Sequence, residues 1–414
     1  MAAATRRGGD VTGDDADAGR YAFGRNWQRF LDRHLDESRI AIAESCLLAN
    51  LSLPSLAGQS FLDIGCGSGL HSLAAFRIGA ARITSFDYDE HSVAATRALW
   101  ERVGRPAHWT IGRGSVLDPA YLATLGRSDI VYSWGVLHHT GRQWDAVANA
   151  VNAVAPGGRF SIGLYLREDH IDPPPEFWLA VKQTYNRAGW AKRRRMELAY
   201  TWYRILQRDW RRLPALWREA AGYRKHRGMA LYTDICDWLG GWPMEFSSID
   251  ETVTYCCGRL GLELVRLRTG EAVAEYLFRA QGGGDPVDGL QHRFHSIETV
   301  GDLAALGRWA MLGTGGIAKR ILDAARQAGC PPDSVHDKDR TGDWEGYTVR
   351  PEAELAARPD MPVLVASSYF GAILDRLAAL DCRRIVNGFP LAVGHLQAAL
   401  AETGPPERRY RWLC

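Results

Sequence analysis

The stretch Ser60-Phe-Leu-Asp-Ile-Gly-Cys-Gly-Ser-Gly-Leu70 joins a short apolar run to three glycines at alternate positions, Gly65, Gly67 and Gly69. Glycine accepts a positive φ and lets a ligand approach the backbone closely. Because a helical pattern follows, the turn predicts a ligand at a helix N-terminus, above the carboxyl end of a strand. Position 70 is Leu, so the spacing differs from the dinucleotide pattern G-x-G-x-x-G.

Around this stretch, short apolar runs alternate with helical patterns. Strands are predicted over 60–64, 82–86, 108–111, 129–133 and 159–165, and helices over 70–78, 90–103, 119–125 and 143–154. This alternation implies crossover connections and a parallel sheet. Two further strands, 262–268 and 272–278, are joined by Thr269-Gly270-Glu271, a connection that suits an antiparallel pair. The expected fold class is α/β, with a doubly wound, mostly parallel sheet of seven strands.

A helical insertion is predicted over 167–247, inside this domain. Between Lys182 and Arg227 lie 14 basic and 3 acidic residues, so this stretch carries +11 while the rest of the chain carries −9. Four tryptophans lie in the same stretch. Three interpretations remain open: a lid whose Trp side chains pack inward with Arg outside, a site for an anionic substrate, or a surface that docks on nucleic acid or an anionic membrane.

A second glycine pattern, Gly313-x-Gly315-x-x-Ala318, lies between another predicted strand and helix, and Asp337 or Asp339 follows the next strand. Because only four strands are evident, the pattern predicts half of a dinucleotide-binding domain. We therefore expect a disordered lead-in over 1–19, a first domain over 20–281, a linker over 282–300 and a small Rossmann-like α/β domain over 301–414.

Five segments of the first domain resemble the class I S-adenosylmethionine-dependent methyltransferases. They are Leu62-Asp-Ile-Gly-Cys-Gly-Ser-Gly69, Ser85-Phe-Asp-Tyr-Asp89, Gly114-Ser-Val-Leu-Asp118, Tyr132-Ser-Trp-Gly-Val-Leu-His-His139 and Pro156-Gly-Gly-Arg-Phe160. The resemblance covers about residues 20–280 apart from the insertion. It implies S-adenosylmethionine as the cofactor and direct methyl transfer as the reaction, with no metal.

The resemblance also implies which residues contact the cofactor. Asp87 would hold the ribose, Tyr88 would flank the adenine, and Ser115 and Val116 would face the adenine edge, where Asp118 is an alternative. Trp134 and Leu137 would face the sulfonium. The remaining cofactor residues expected are Asp63 beside the glycine turn, Gly65, Cys66, Gly67 and Gly69 along the methionine part, and Tyr21 and Trp27, which either close over the cofactor or pack against helices.

The second unit is similar to small Rossmann-like domains that bind nucleotide sugars beside some sugar-modifying transferases. This likeness would place Gly313, Gly315 and Asp337 on a diphosphate and a ribose. A scaffold or dimerisation domain is the alternative.

Candidate catalytic residues follow the fourth strand and end the insertion. His138 and His139 lie near the expected methyl position, where a neutral imidazole accepts a proton; one of the two is expected only to pack or cap a helix. Asp234, Asp237 and Glu245 crowd into twelve residues with a Gly-Gly-Trp-Pro turn. They would bind acceptor hydroxyls or amines, unless the segment is only a helix cap and a turn.

Composition narrows the functional class. The chain of 414 residues is 46 % apolar and 24 % charged, with a net charge of +2, which is ordinary for a folded protein. No apolar run approaches the ~20 residues of a membrane span, no secretory signal begins the chain, and no C-x-x-C pair indicates zinc. We therefore expect a cytoplasmic protein with reduced thiols, no stable membrane insertion and no nucleic-acid partner. A homo-oligomer is compatible with these features.

The sequence thus predicts a methyltransferase that acts on an oxygen, or a nitrogen, of a small molecule. The acceptor expected is a sugar, a nucleotide sugar or a glycosylated metabolite, and the basic insertion favours an anionic one. Two alternatives remain: a methyltransferase on RNA or protein, and a cofactor-binding assembly protein without catalysis.

Overall fold

The computed structural model describes residues 24, 27, 31, 35–214, 218, 231–270, 273–282, 289–410 and 413. Its first sheet has seven strands in the order β3-β2-β1-β4-β5-β7-β6. All neighbours are parallel except β7, which runs antiparallel to both β5 and β6. This confirms the predicted α/β sheet. The strands are β1 (Ser60–Ile64), β2 (Arg82–Asp87), β3 (Trp109–Arg113), β4 (Ser128–Trp134), β5 (Val154–Tyr165), β6 (Glu263–Arg268) and β7 (Val273–Arg279).

Helices cover both faces of this sheet, and polar caps set several of their starts. Asp36, Asp89 and Asp118 each accept hydrogen bonds from backbone N–H groups of the first turn that follows. Such caps satisfy donors that the helix itself leaves unpaired. The helices are α1 (Glu37–Leu51), α2 (Leu70–Arg77), α3 (Glu90–Arg102), α4 (Pro119–Leu125), α5 (Gln143–Asn152) and, after the insertion, α9 (Ile249–Val253), which continues as a π-helix over Thr254–Arg259.

The segment between β5 and α9 contains helices. Phe177, Trp178, Tyr185 and Met196 form its own apolar core. Trp190, Trp202 and Trp210 lie on the surface, so the interpretation of a lid with inward-facing tryptophans is wrong for these three, and Trp217 lies outside the described residues. The helices are α6 (Pro175–Arg187), α7 (Trp190–Tyr200), which continues as a π-helix over Thr201–Ile205, and α8 (Leu231–Gly240).

A second sheet, also of seven strands, has the order β11-β12-β10-β9-β13-β14-β8. Its strands are parallel apart from the antiparallel pair β11 and β12. The sequence predicts only four of them, and β8 lies inside the expected linker 282–300. The strands are β8 (Phe294–Ser296), β9 (Ala310–Leu312), β10 (Ser334–Asp337), β11 (Gly342–Trp344), β12 (Tyr347–Pro351), β13 (Val363–Val365) and β14 (Ile385–Asn387); the helices are α10 (Val300–Ala305), α11 (Gly316–Gln327), α12 (Phe370–Ala379), α13 (Phe389–Ala401) and α14 (Pro406–Arg409).

The two sheets meet where α12 packs on β6. Thr269 Oγ1 lies 2.9 Å from the carbonyl oxygen of Ser368 and accepts from Gly371 N at 3.0 Å. A Cβ at Gly371 would lie 2.3 Å from the carbonyl oxygen of Leu267, so only glycine permits this approach. Phe370 joins Leu267 in one buried apolar cluster. The second sheet is therefore anchored at the β6–β7 turn, next to the carboxyl edge of the first sheet.

No helix in the described ranges is long and apolar enough to span a bilayer, and no group of three or more potential metal ligands occurs among the described residues.

Candidate active site

One cavity of about 1480 Å³ runs along the carboxyl edge of the first sheet. It begins at the glycine turn after β1, passes the ends of β4 and β5, and reaches the insertion and α12. Its size exceeds the ~300–1,000 Å³ of a typical small-molecule pocket. The cavity therefore has room for two ligands, and its two ends are built from different parts of the chain.

The glycine turn forms the first end. Gly65 and Gly67 line the cavity with φ of +73° and +55°, in the region that favours glycine. A Cβ at Gly65 would lie 2.4 Å from Val136, and one at Gly67 would lie 3.2 Å from the indole nitrogen of Trp27. Cys66 also lines the cavity. The absent side chains thus leave a cradle that larger residues would fill.

Asp87 at the end of β2 connects this turn to the next loop. Its Oδ2 accepts from Gly67 N at 3.0 Å, and its Oδ1 accepts from Asp89 N at 2.9 Å. Tyr88, Ser115 and Val116 line the same part of the cavity, and Trp27 lines it from the N-terminal side. The predicted Tyr21 lies outside the described residues.

Two expected cofactor residues lie beneath this surface. Asp63 is buried, and its Oδ2 accepts from Ser72 Oγ at 2.5 Å. Burial raises the pKa of Asp63 to about 7, although the Ser72 hydrogen bond opposes the shift. Gly69 precedes α2, and a Cβ there would lie 2.8 Å from Thr96. The structure therefore gives Asp63 and Gly69 supporting positions, which corrects their assignment as cofactor contacts.

After β4 the chain makes a 3₁₀ turn, and the side chains of this segment point either to the cavity or to the core. Trp134, Val136 and His139 line the cavity, whereas Leu137 and His138 are fully buried. The assignments of Leu137 to the sulfonium side and of His138 to proton transfer are therefore wrong. Burial also holds the pKa of His138 well below its usual value, so its ring is neutral.

His139 keeps a defined ring orientation. Its Nδ1 lies 2.7 Å from the carbonyl oxygen of Pro243, which has no proton to donate. Nδ1 therefore carries the proton, and in the neutral ring Nε2 holds the lone pair. A carbonyl more than a hundred residues away along the chain thus sets the tautomer of a side chain on the cavity wall.

The acids that end the insertion separate into two groups. Asp234 and Asp237 lie on α8 and line the cavity. Glu245 instead accepts from Gln143 N, the first residue of α5, through Oε2 at 2.8 Å. Burial raises the pKa of Glu245 to about 7. Glu245 therefore caps a helix, and its assignment as a catalytic residue is corrected.

The segment after β5 adds polar cavity residues that the sequence analysis missed. Asp169, His170 and Asp172 line the cavity. Among the described residues, no hydrogen-bond partner reaches the buried Oδ2 of Asp169, and burial raises the pKa of this carboxyl to about 7. The run Arg167-Glu-Asp-His170, directly after a parallel strand, was the signal available, because ligands bind at the carboxyl ends of such strands.

The basic stretch contributes little charge to the cavity. Lys182 is buried: its ammonium donates to the carbonyl of Trp238 and lies 4.2 Å from the centre of that indole ring. Arg193 donates to the backbone carbonyls of Tyr185 and Asn186. Within the part of the stretch that the structure describes, Arg204 alone among the basic residues lines the cavity.

The second glycine pattern lies apart from this cavity. Gly313 follows β9 with a φ of +115°, and Gly315 precedes α11. The Oδ2 of Asp337 accepts from Thr314 Oγ1 at 2.8 Å, while its Oδ1 accepts from Asp339 N at 3.0 Å. The three predicted residues are therefore close together, and ligand binding by them stays a prediction.

Comparisons with known proteins agree with the first sheet and its glycine turn. Residues 62–162 match the family model described as "Methyltransferase domain". The ribosomal protein L11 methyltransferase of Gloeobacter violaceus is 40 % identical over 75 residues, which are 18 % of this chain and 23 % of that protein. The ubiquinone biosynthesis O-methyltransferase of a Methylobacterium species is 33 % identical over 105 residues, 25 % of this chain and 40 % of that protein.

The matching stretches span less than half the length of both curated relatives. Among solved structures, magnesium protoporphyrin IX methyltransferase from Synechocystis PCC 6803, with bound S-adenosylhomocysteine, has a TM-score of 0.39 and 13 % identity. That match covers 65 % of this chain and 99 % of the other. The family match falls on the strands and loops that form the glycine-turn end of the cavity. The chain contains a methyltransferase domain that includes residues 62–162.

Proposed function

We propose that the protein transfers a methyl group from S-adenosylmethionine to an oxygen or nitrogen of a small polar molecule of the sugar class. The observation that carries this proposal is the single cavity that joins the glycine turn to the polar walls of the insertion. A methyl donor at one end and an acceptor at the other would meet near the loop after β4. Proximity of this kind is a large part of catalysis of a two-substrate reaction.

The residues at the glycine-turn end fit the cofactor. The cradle at Gly65 and Gly67 would hold the methionine part, and the carboxylate of Asp87 would accept from ribose hydroxyls. Tyr88, Ser115 and Val116 would surround the adenine, with Trp27 closing the other side. When bound, S-adenosylmethionine supplies an electrophilic methyl group on a sulfonium. Trp134, held by a hydrogen bond from its Nε1 to Glu275 Oε1 at 2.8 Å, would help to exclude water beside that group.

The walls of the other end favour an acceptor with hydroxyl or amino groups. Four carboxylates line this part of the cavity: Asp169, Asp172, Asp234 and Asp237. Carboxylates accept from hydroxyl and ammonium donors, and they repel anions. Tyr165, Trp178 and Trp238 add apolar ring surfaces between these acids. These features support a neutral or amino sugar more than the anionic acceptor that the charge of the insertion suggests, because Arg204 is the basic residue of the described insertion on this wall.

Two side chains of the cavity wall would take the proton that an acceptor hydroxyl loses. As the new oxygen–carbon bond forms and the sulfur–carbon bond breaks, the hydroxyl proton would pass to Nε2 of His139 or to the carboxylate of Asp169. The Pro243 carbonyl holds His139 in the tautomer with its lone pair on Nε2. The raised pKa of Asp169, about 7, suits a general base near neutral pH.

Binding and turnover test the two parts of this proposal separately. Titration calorimetry with S-adenosylmethionine and S-adenosylhomocysteine should detect binding to the full chain. A panel of hexoses, amino sugars and nucleotide sugars is then assayed by S-adenosylhomocysteine release, with bulk tRNA and ribosomal protein as comparison substrates. Absence of cofactor binding contradicts the enzyme assignment, and turnover confined to tRNA or ribosomal protein contradicts the sugar assignment.

A further inference from the structure

The insertion carries apolar side chains on its surface, interspersed with basic ones. Trp190 is 81 % exposed, Trp210 66 % and Leu198 59 %. Exposed apolar patches of this kind mark surfaces that meet a partner. We define the Trp–Arg face as the exposed side chains of Trp190, Arg194, Arg195, Leu198, Trp202, Arg208, Trp210 and Leu213.

The geometry of α7 places Trp190, Arg194 and Leu198 on one side. The helix buries Met196 and Glu197 against the insertion. Arg194, Leu198 and Trp202 follow at intervals of four residues, so they lie one above another on the outward side. The backbone N–H of Arg208 donates to the carbonyl of Trp202 at 3.0 Å, which bonds the turn before Trp210 to the end of the same helix.

The face is strongly basic as well as apolar. Nine basic and two acidic residues lie between Arg187 and Leu213. Both acids are engaged within the insertion: buried Glu197 accepts from Tyr185 and Tyr232 and pairs with Arg194 at 3.0 Å, and Asp209 accepts from Arg211 N at the turn. The charge of Arg194 is thus balanced, and the other arginines supply the positive charge of the face. Arg195 and Arg208 are exposed, and the guanidinium of Arg208 lies 4.2 Å from the centre of the Tyr203 ring. The electrostatic potential at this face is therefore positive.

We propose that the Trp–Arg face docks the protein on an anionic lipid bilayer. Tryptophan favours the headgroup region of a membrane, where its ring is apolar and its N–H meets water. Arginine extends its charged group to lipid phosphates while its stem lies along apolar surface. The inner side of the same helical segment contributes Tyr200 and Arg204 to the cavity, so docking and the acceptor end of the cavity share one element.

Two other partners fit the face less well. Nucleic acid would use the arginines and stack on the tryptophans, but Leu198 and Leu213 present aliphatic groups on which bases do not stack. A second copy of this chain, meeting through the same face, would bring two positive surfaces together. An anionic bilayer uses the aromatic, aliphatic and basic side chains at once.

Vesicle co-sedimentation of the full chain tests the proposal. Vesicles of equal parts phosphatidylcholine and phosphatidylglycerol should bind the protein, whereas phosphatidylcholine alone should not, and added salt should weaken binding. Arg195→Gln should lower the partition coefficient about fivefold, since each basic residue near an anionic surface contributes about that factor. Trp190→Ala should also lower it, and Trp190→Phe should retain more of the binding.

Arg320→Gln is the matched control, because Arg320 is an exposed residue of α11 on the second sheet. It should leave vesicle binding unchanged, and all variants should keep the unfolding midpoint and the S-adenosylhomocysteine affinity of the wild type. Equal binding to both vesicle types, or an equal loss with Arg320→Gln, overturns the proposal. So does tRNA binding or dimerisation that Trp190→Ala abolishes while vesicles do not bind.

Discussion

The glycine-turn end of the cavity and the insertion end each contain a buried carboxyl whose pKa is raised to about 7, Asp63 and Asp169. Asp63 accepts from Ser72 Oγ, which also contacts Ser85 Oγ at 2.7 Å. In contrast, no described partner reaches Oδ2 of Asp169. A buried polar atom without a partner costs about 1–3 kcal/mol, so it is retained where a ligand can satisfy it. Asp63 therefore has a partner within the fold, whereas Asp169 has an oxygen that a hydroxyl of the proposed acceptor would satisfy.

The largest expected effect is on the pH dependence of stability at the insertion end. The pKa of Asp169 is about 7 in the folded protein and near 3.8 in the unfolded chain. Between these two pH values the folded protein therefore keeps a proton on Asp169 that the unfolded chain has released. The free energy of unfolding of the wild type is therefore highest below about pH 4 and falls as the pH rises to about 7, because ionising the buried carboxyl is unfavourable. We expect Asp169→Asn to remove this pH dependence. Between pH 4 and pH 7 the free energy of unfolding of the variant should therefore rise by about 2–4 kcal/mol relative to that of the wild type.

Urea unfolding of both proteins at several pH values measures this difference. The amide of Asn keeps the size of the side chain, so packing changes little and the comparison isolates the proton. Parallel stability curves from pH 4 to pH 7 would show that Asp169 has an ordinary pKa, which would contradict the burial of its carboxyl away from water.

The second prediction tests the glycine-turn end. Asp87→Ala removes the carboxylate that accepts from Gly67 N and Asp89 N and that would hold the ribose in the proposed function. Hydrogen bonds to a charged group contribute about 1.5–3 kcal/mol each, so the affinity for S-adenosylhomocysteine should fall about 100-fold or more by calorimetry.

Asp118→Ala is the matched control for Asp87→Ala. Asp118 Oδ1 accepts from Ala120 N and Tyr121 N and so caps α4. We expect a loss of about 1 kcal/mol of stability, as for other N-caps, with unchanged cofactor affinity. An equal loss of affinity in both variants would instead support an adenine contact by Asp118.

The third prediction separates cavity residues from core residues after β4. Leu137 is fully buried, so Leu137→Ala should lower the free energy of unfolding by about 2–3 kcal/mol. At temperatures where the variant remains folded, its affinity for S-adenosylhomocysteine should stay within a few fold of the wild type. A hundredfold loss of affinity without destabilisation would return Leu137 to the cofactor surface.

The contrast between these regions also explains what the sequence could predict. The turn from Gly65 to Gly69 lies between two regular elements, so local pattern was enough to locate it and Asp87. The 3₁₀ turn after β4 is too short to show a repeating pattern of apolar residues. The sequence therefore did not distinguish the core positions of Leu137 and His138 from positions on the cavity wall. Distant contacts, such as Pro243 with His139, leave no local signal at either residue.

Short elements limited the prediction of the second sheet in the same way. β8 and β11 have three residues each, too few for an alternating pattern to stand out. The approach of α12 to the β6–β7 turn depends on Gly371, whose role appears only once the carbonyl of Leu267 lies beside it. Local sequence therefore predicted the turn end of the cavity, whereas the insertion end required the folded arrangement.

The smallest expected effect concerns how the C-terminal residues hold the insertion end. Tyr410 OH donates to Asp172 Oδ2 at 2.6 Å, and the guanidinium of Arg409 pairs with the same carboxylate at 3.1 Å. Tyr410→Phe removes the hydroxyl but keeps the ring next to Phe177 and leaves Arg409 paired. We therefore expect a loss of about 1 kcal/mol in urea unfolding, the usual contribution of one hydrogen bond. Tyr369→Phe, on an exposed cavity ring, should change stability by less than about 0.5 kcal/mol. If both variants lose the same amount, the Tyr410 hydroxyl does not stabilise the insertion end, and Arg409 and the buried Leu413 would hold the C-terminal residues there.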